Sequence, residues 1–316
     1  MDLTHIHLLL NHFPTIGTII GVGLFLISLL GKSNDLKRAS LVIFFGICML
    51  TIPTYISGNA AAQRICIGPA NGACQDATVS RVMINSHEGV ALAAFFAMQV
   101  LGFFAWLGLW QIRRFSHLPT WNLVLILILC AATLGFVSKA ANLGGEIRHP
   151  EIRDASITGP EAQPIGRQVG AWVIGQKWVW PTCETLHFIG LSLLFGISAI
   201  VDLRMLGLMK NVPFPAIHRL LPWGILGFGI NMITGMLFFV GAPEQYTTNP
   251  VFHWKIALMM LAAINVLYFT IFDEAWVLGP GDNAPSTAKA VAFSALVLVI
   301  GVLFCGRMLP FLGNAF

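Results

Sequence analysis

Charged residues are scarce in this chain of 316 residues, since only 10% of them are Asp, Glu, Lys or Arg. Soluble globular domains carry about 25% charged residues. The chain is also 56% hydrophobic, with a mean hydropathy of +0.78. These values argue against a soluble domain and predict an all-α, polytopic membrane protein.

The signature motifs of soluble enzymes are missing as well. The sequence has no Walker loop, no strand followed by Gly-x-Gly-x-x-Gly, no Gly-x-Ser-x-Gly and no His-Glu-x-x-His. It also lacks Cys-x-x-Cys-His, which argues against covalently attached c-type haem. The net charge of +4 comes from scattered Lys and Arg residues, so we expect no nucleic-acid partner.

Eight apolar runs are long enough to cross a bilayer, which takes about 20 residues. They lie near 13–30, 40–57, 87–110, 121–141, 184–207, 217–240, 252–272 and 288–306. The stretch 142–183 between the fourth and fifth runs is charged and rich in Gly and Pro. We therefore predict two four-helix membrane domains, 1–155 and 184–316, joined by a connecting loop at 156–183.

Two features predict the orientation of the chain. Cys66 and Cys74 flank a Gly/Pro/Asn-rich loop, which predicts a disulfide and hence an oxidising compartment. Basic residues lie near the helix ends beside the short loops of the opposite side, and the positive-inside rule places that side in the cytoplasm. We expect both termini, the Cys66–Cys74 loop and the connecting loop on the outer, periplasmic side.

Histidines gather on this outer side. His12, His87, His187 and His253 lie near the outer ends of the first, third, fifth and seventh runs, at a similar depth. An ionisable residue at the mouth of a membrane helix is costly unless it has a partner. A b-type haem in a helical bundle takes two axial imidazoles from facing helices. The pattern predicts that His12 and His87 ligate one haem b, and that His187 and His253 ligate a second.

His7 lies five residues before His12, so the two do not share a helical face. The two would bind one ion only if the chain before Pro14 were non-helical. Pro14 in the first helical turn places His12 and Phe13 at the cap, and we expect His7 to lie outside the membrane proper. There it is a supporting partner, an alternative ligand or only a polar residue.

His149 follows Gly144-Gly145, which allow the loop to fold back over the outer helix ends. Arg148 and Arg153 would then pair with haem propionates. His149 is equally explained as a polar loop residue.

The second half contributes further polar residues. Glu184 lies three residues before His187, where a carboxylate can orient an imidazole or join a proton path. Asp202 and Arg204 are two apart and do not face each other on a helix. Each of them therefore needs another partner, for which Arg219 is a candidate.

The first half resembles an uncharacterised family of bacterial four-helix membrane proteins that is associated with the two-haem cytochrome b superfamily. The matching features are His7-x4-His12-Phe13-Pro14, His87 opening the third run and Gly144-Gly145. The resemblance covers about residues 5–155, and this chain lacks the proline that follows the first histidine in the family pattern. It implies the bacterial inner membrane and a ligand role for His7 besides His12 and His87.

The stretch from Trp180 to about Phe269 resembles a second uncharacterised bacterial membrane domain. The matching features are Glu184-x-x-His187-Phe188, Val201-Asp202-Leu203-Arg204, Pro222-Trp223 and Asn249-Pro250-x-Phe252-x-x-Lys255. In that pattern the histidine at 187 is expected and position 253 varies. The resemblance therefore leaves His149, or an open coordination site, as the alternative to His253.

Together these observations predict an electron-transfer protein that holds one or two haem b groups. It would pass electrons between a periplasmic redox protein, such as a cytochrome c, and a membrane quinone, as part of a larger complex or a homo-oligomer. Two alternatives remain at this point. One is a cofactor-free anchoring subunit of a respiratory or photosynthetic complex. The other is a metal-handling transporter that binds copper or zinc through the outer histidines, although transporter sites usually lie at the bilayer midplane.

Overall fold

The computed structural model describes residues 3–66, 74, 79, 81–152, 165–272 and 277–312. All regular secondary structure in these residues is helical, which confirms the all-α prediction. The α-helices are α1 (Leu3–Leu10), α2 (His12–Leu30), α3 (Asn34–Ile65), α4 (Arg81–Phe115), α5 (Thr120–Arg148), α6 (Ile165–Gly175), α7 (Val179–Leu206), α8 (Phe214–His218), α9 (Leu221–Gly241), α10 (Pro243–Thr247), α11 (Pro250–Ile271) and α12 (Ser286–Met308). A short 3-10 helix covers Pro150–Ile152.

Eight helical segments within the described residues are long and apolar enough to cross a membrane, as predicted. Six of them are single helices, while α1 with α2 and α8 with α9 form the other two. Large apolar side chains stand exposed along them, for example Phe13, Ile16 and Ile19 on α2. Such apolar faces contact lipid, because the interior of a bilayer contains no water. The chain is a multi-pass membrane protein.

Several helices continue past the apolar runs. Helix α3 reaches Ile65 and α4 begins at Arg81, where hydropathy predicted 57 and 87. Helix α6 lies inside the predicted connecting loop. Hydropathy marks only the part of a helix that needs lipid, whereas the backbone hydrogen bonds of a helix form equally well through its polar flanks.

The chain divides into two compact units. Unit 1 comprises Met1–Ala105, Thr120–Gln176 and Leu237–Thr247, and unit 2 comprises Trp106–Pro119, Lys177–Met236 and Thr248–Phe316. This division differs from the sequence-based one, because the end of α4 belongs to unit 2 and the end of α9 belongs to unit 1.

Unit 1 packs α2 against α3 and α5, and α1 against α3. Small residues allow close approach, since a Cβ on Gly102 of α4 would collide with the Cβ of Cys48 on α3. A buried amide then links these two helices, because Gln99 donates to the Cys48 carbonyl (3.0 Å) and to the Thr51 hydroxyl (2.7 Å). The predicted disulfide between Cys66 and Cys74 is confirmed.

Unit 2 packs α11 against α12, and α12 against α7. Its core includes Met205, Phe214, Ile217 and Ala292. Helix α7 ends at Gly207, whose φ of 92° lies in the left-handed region that glycine adopts without steric cost.

Candidate functional site

His7 lies in helix α1 and turns towards α3. Its Nδ1–H donates to the backbone carbonyl of Thr54 (3.0 Å). A Cβ on Gly58, one turn further along α3, would lie 2.8 Å from the imidazole Cε1. The ring therefore packs where only a glycine leaves room for it. Because a carbonyl can only accept, the proton of the neutral ring is on Nδ1 and the lone pair is on Nε2.

His87 is held in the same way by other elements of unit 1. It lies near the start of α4, and its Nδ1–H donates to the backbone carbonyl of Ala140 on α5 (2.9 Å). A Cβ on Gly144 would lie 3.3 Å from its Cε1. The Nε2 lone pair of His87 is again the one that remains available to bind a metal ion.

The two imidazoles lie close enough to interact electrostatically with each other. Among the described residues, neither Nε2 has a hydrogen-bond partner. Two rings from different helices thus interact electrostatically, and the backbone carbonyl that each ring binds fixes its tautomer. Histidines that ligate metals typically donate their other ring N–H to a carbonyl or carboxylate in this manner.

The described contacts join His87 to His7, whereas the sequence pattern paired it with His12. Helix α1 begins at Leu3, so the condition under which His7 and His12 would bind one ion, a non-helical chain before Pro14, is not met. His12 starts α2, beyond the break at Asn11, and its side chain is exposed. The five-residue spacing already placed the two histidines on different faces. Which of those faces meets α3 is decided by helix packing and could not be read from the spacing.

In unit 2, His187 has a different environment. Its Nδ1–H donates to the hydroxyl of Thr234 (2.8 Å), which itself donates to the carbonyl of Ile230 (2.7 Å). Lys255 interacts electrostatically with the ring. Glu184 accepts a hydrogen bond from Trp180 (3.1 Å), and the expectation that it orients His187 stays a prediction.

The other predicted candidates lie nearer the surface or make their own contacts. His149 pairs with Glu151 (2.9 Å), and their side chains are 61% and 67% exposed. Arg148 is exposed, and His253 is partly buried near the start of α11. Arg148 and His253 both interact with other groups of the protein. Arg153 lies outside the described residues.

The hydrogen-bond partners of Arg204 lie in connecting segments outside α7. The guanidinium is fully buried and donates to the backbone carbonyls of Val212 (2.6 Å), Gly279 (2.7 Å) and Asp282 (3.2 Å). It therefore ties two connecting segments of unit 2 together. The suggested partner Arg219 is exposed and takes no part in these bonds.

Unit 1 contains a polar cavity of about 440 Å³, and its lining includes residues that are sequence neighbours of the histidine site. It is lined by residues from α3, α4, α6, α9 and α10, namely Tyr55, Asn59, Ala62, Gln63, Cys66, Arg81, Ile84, Asn85, Glu88, Gly166, Arg167, Phe239, Val240, Pro243 and Glu244. Asn59 directly follows the Gly58 that contacts His7, and Glu88 directly follows His87. Sequence analysis missed this cavity, although Glu88 beside His87 was a visible signal.

The polar groups of this cavity are connected. Gln63 donates to the side-chain oxygen of Asn59 (2.8 Å), and Asn59 donates to the carboxylate of Glu88 (3.4 Å). Arg81 and Arg167 interact electrostatically with this carboxylate. Aromatic rings form another part of the wall, where Tyr55 contacts Phe239 with ring centroids 6.0 Å apart.

No group of three or more His, Cys, Asp or Glu side chains suited to a metal ion occurs within the described part of the chain. A protein-built metal site needs three or four such ligands. A haem iron needs only two, because the porphyrin supplies the other four. The pair His7 and His87 therefore fits a haem better than a free metal ion.

No protein-family model, no curated protein and no solved structure matches the chain. The two resemblances drawn from the sequence motifs accordingly stay predictions, and the chemistry of the site rests on its own residues.

Proposed function

We propose that the protein is a cytochrome b-like membrane electron carrier in which His7 and His87 would hold one b-type haem. The observation that carries the proposal is the pair of imidazoles on α1 and α4 that interact electrostatically, each with Nδ1–H bound to a backbone carbonyl. When bound, the haem would supply one-electron oxidation and reduction at its iron.

The residues present fit such a group in three respects. Both rings keep the Nε2 lone pair that an iron ligand needs. Gly58 and Gly144 leave room for the two imidazole rings at places where a larger side chain would crowd them. The carbonyls of Thr54 and Ala140 fix both ring orientations, as the supporting partners of ligating histidines do.

The proposed ligand pair differs from the predicted one in one residue, and the second predicted haem has less support. His7 replaces His12 as the partner of His87. A second haem at His187 would stand beside Lys255, and a positive charge on this lysine would disfavour further positive charge on an iron ligand. We propose one haem for the chain and assign it to unit 1.

For the electron partners, we keep the membrane quinone and a periplasmic redox protein such as a cytochrome c. The cavity of unit 1 supports a quinone, since it combines an aromatic wall at Tyr55 and Phe239 with hydrogen-bonding groups at Asn59 and Glu88. The Cys66–Cys74 disulfide supports a bacterial inner-membrane protein whose termini face the oxidising periplasm. Membership of a larger complex or a homo-oligomer is part of the same proposal.

An absorption spectrum of the full-length protein, purified after expression with ample haem, tests the function. We expect a Soret band, α and β bands on dithionite reduction, and about one haem b per chain by pyridine haemochrome assay. Elemental analysis of the same sample separates the alternatives. Copper or zinc without haem would support the metal-handling transporter, and neither haem nor metal would support the cofactor-free anchor. Both results would overturn the proposal.

A further inference from the structure

A buried carboxylate in unit 2 is left unused by the proposed function. Asp202 lies in α7, within a segment that is long and apolar enough to cross the membrane. Its side chain is only 2% exposed. It lines a cavity of about 90 Å³ in unit 2, together with residues of α4, α7, α8, α9, α11 and α12.

Asp202 has no ionic or hydrogen-bonding partner among the residues that the structure describes. No hydrogen bond or ion pair to its carboxylate occurs among these residues. Arg204, two residues further on, is fully engaged with three backbone carbonyls. An ionised carboxylate that is buried without a hydrogen bond or an ion pair is strongly disfavoured.

Arg113 and His218 are the other charged or titratable side chains among the described residues that line the cavity. Arg113 of α4 donates to the backbone carbonyls of Phe269 (3.4 Å), Thr270 (2.6 Å) and Phe272 (3.0 Å). His218 of α8 stacks on Trp110, with ring centroids 5.8 Å apart.

The remaining walls of the cavity carry neutral groups. Helix α7 contributes the hydroxyl of Ser198 and α11 contributes the amide of Asn265, which donates to Ser294 (3.0 Å). The lining residues from α9 and α12 carry no polar side chain. A small, mostly apolar space thus holds one acid.

We propose that Asp202 is a proton-binding site of unit 2, which carries its proton in the resting protein and exchanges it through this cavity. A proton is favoured over a metal cation, because a sodium or calcium ion would require several oxygen ligands and the cavity offers few. Ionisable residues placed in this way inside membrane segments commonly serve proton relays. The proposal does not depend on a haem in unit 1.

Infrared difference spectroscopy on the full-length protein in lipid tests the proposal directly. We expect the carbonyl stretch of a protonated carboxylic acid at neutral pH, replaced by carboxylate bands as the pH rises. The band should move on incorporation of carbon-13-labelled aspartate and vanish in Asp202→Asn. It should persist in the control Asp35→Asn, which changes an exposed residue in the first turn of α3.

Thermal unfolding supplies a second measurement that does not depend on the infrared band. Asparagine resembles a neutral aspartic acid, so Asp202→Asn should leave the melting temperature within a few degrees of wild type. A large loss of stability would show that Asp202 is ionised and paired, and would overturn the proposal. A labelled aspartate band that is absent at neutral pH, or one that responds to sodium at constant pH, would overturn it as well.

Discussion

The two units place their histidines in different environments. In unit 1, His7 and His87 interact electrostatically, and each donates its Nδ1–H to a backbone carbonyl. In unit 2, His187 donates to the side chain of Thr234 and has Lys255 as its electrostatic neighbour. Similar depth along a membrane helix therefore does not make similar sites. The groups beside a ring decide whether it can share a haem iron with a second ring.

Removing either imidazole of unit 1 should have the largest effect. We expect His7→Ala and His87→Ala each to weaken haem binding by more than about 100-fold, since loss of a mere supporting contact already costs about 10–100-fold. His187→Ala should leave the spectrum unchanged. Haem content after purification and haem titration of the apoprotein measure this. The matched control is His12→Ala, which removes an exposed histidine of α2. Loss of haem in His187→Ala alone would reverse the comparison.

Arg204→Met should show that the buried cation of unit 2 is structural. The change removes three hydrogen bonds from a charged donor to backbone carbonyls, so we expect a loss of roughly 4 kcal/mol of stability, at about 1.5 kcal/mol for each bond. Thermal or denaturant unfolding in detergent measures the loss. The control Arg219→Met changes an exposed arginine and should have little effect. Equal melting temperatures for the two variants would refute this role.

A pair of glycine substitutions sharpens the comparison. A Cβ at Gly58 would lie 2.8 Å from Cε1 of His7, whereas a Cβ at Gly235 would lie 3.8 Å from Cε1 of His187. Gly58→Ala must displace a ring that is anchored to Thr54, so we expect haem affinity to fall about tenfold, at the lower end of the range for disturbed supporting contacts. Gly235→Ala makes only an ordinary van der Waals contact and should change nothing. Haem titration of both apoproteins decides the point, and equal affinities would argue against His7 as a ligand.

Thr234→Val should give the smallest effect. It removes the hydroxyl that accepts the Nδ1–H of His187, so we expect a loss of about 1 kcal/mol in stability and no change in the haem spectrum. Thr185→Val, on the exposed face of α7, serves as the control. A changed haem spectrum in Thr234→Val would place a cofactor in unit 2.

Sequence reasoning was most successful where the signal is local. Hydropathy predicted the eight membrane segments, and the Cys66–Cys74 spacing predicted the disulfide. Both features depend on residues that are close in the chain. The same reasoning gave no helix for 165–175, because α6 is short and its surroundings are polar and rich in Gly and Pro.

The candidate site was only partly predictable, because its contacts join residues that are distant in the chain. That His7 packs against Gly58, and His87 against Gly144, follows from the way in which four helices meet. Likewise, Arg204 binds carbonyls that lie up to 78 residues away. Spacing along one helix gives the face on which a side chain lies, but it does not identify the helix that covers that face.

Electron paramagnetic resonance of the oxidised, full-length protein tests the central claim most directly. If His7 and His87 share one haem iron, the wild type will give the low-spin signal of a bis-imidazole haem. His7→Ala and His87→Ala will each lose it, and His12→Ala will keep it. A bis-imidazole signal that survives in His7→Ala but disappears in His12→Ala would contradict the pairing. Absence of any haem signal in the wild type would contradict the account as a whole.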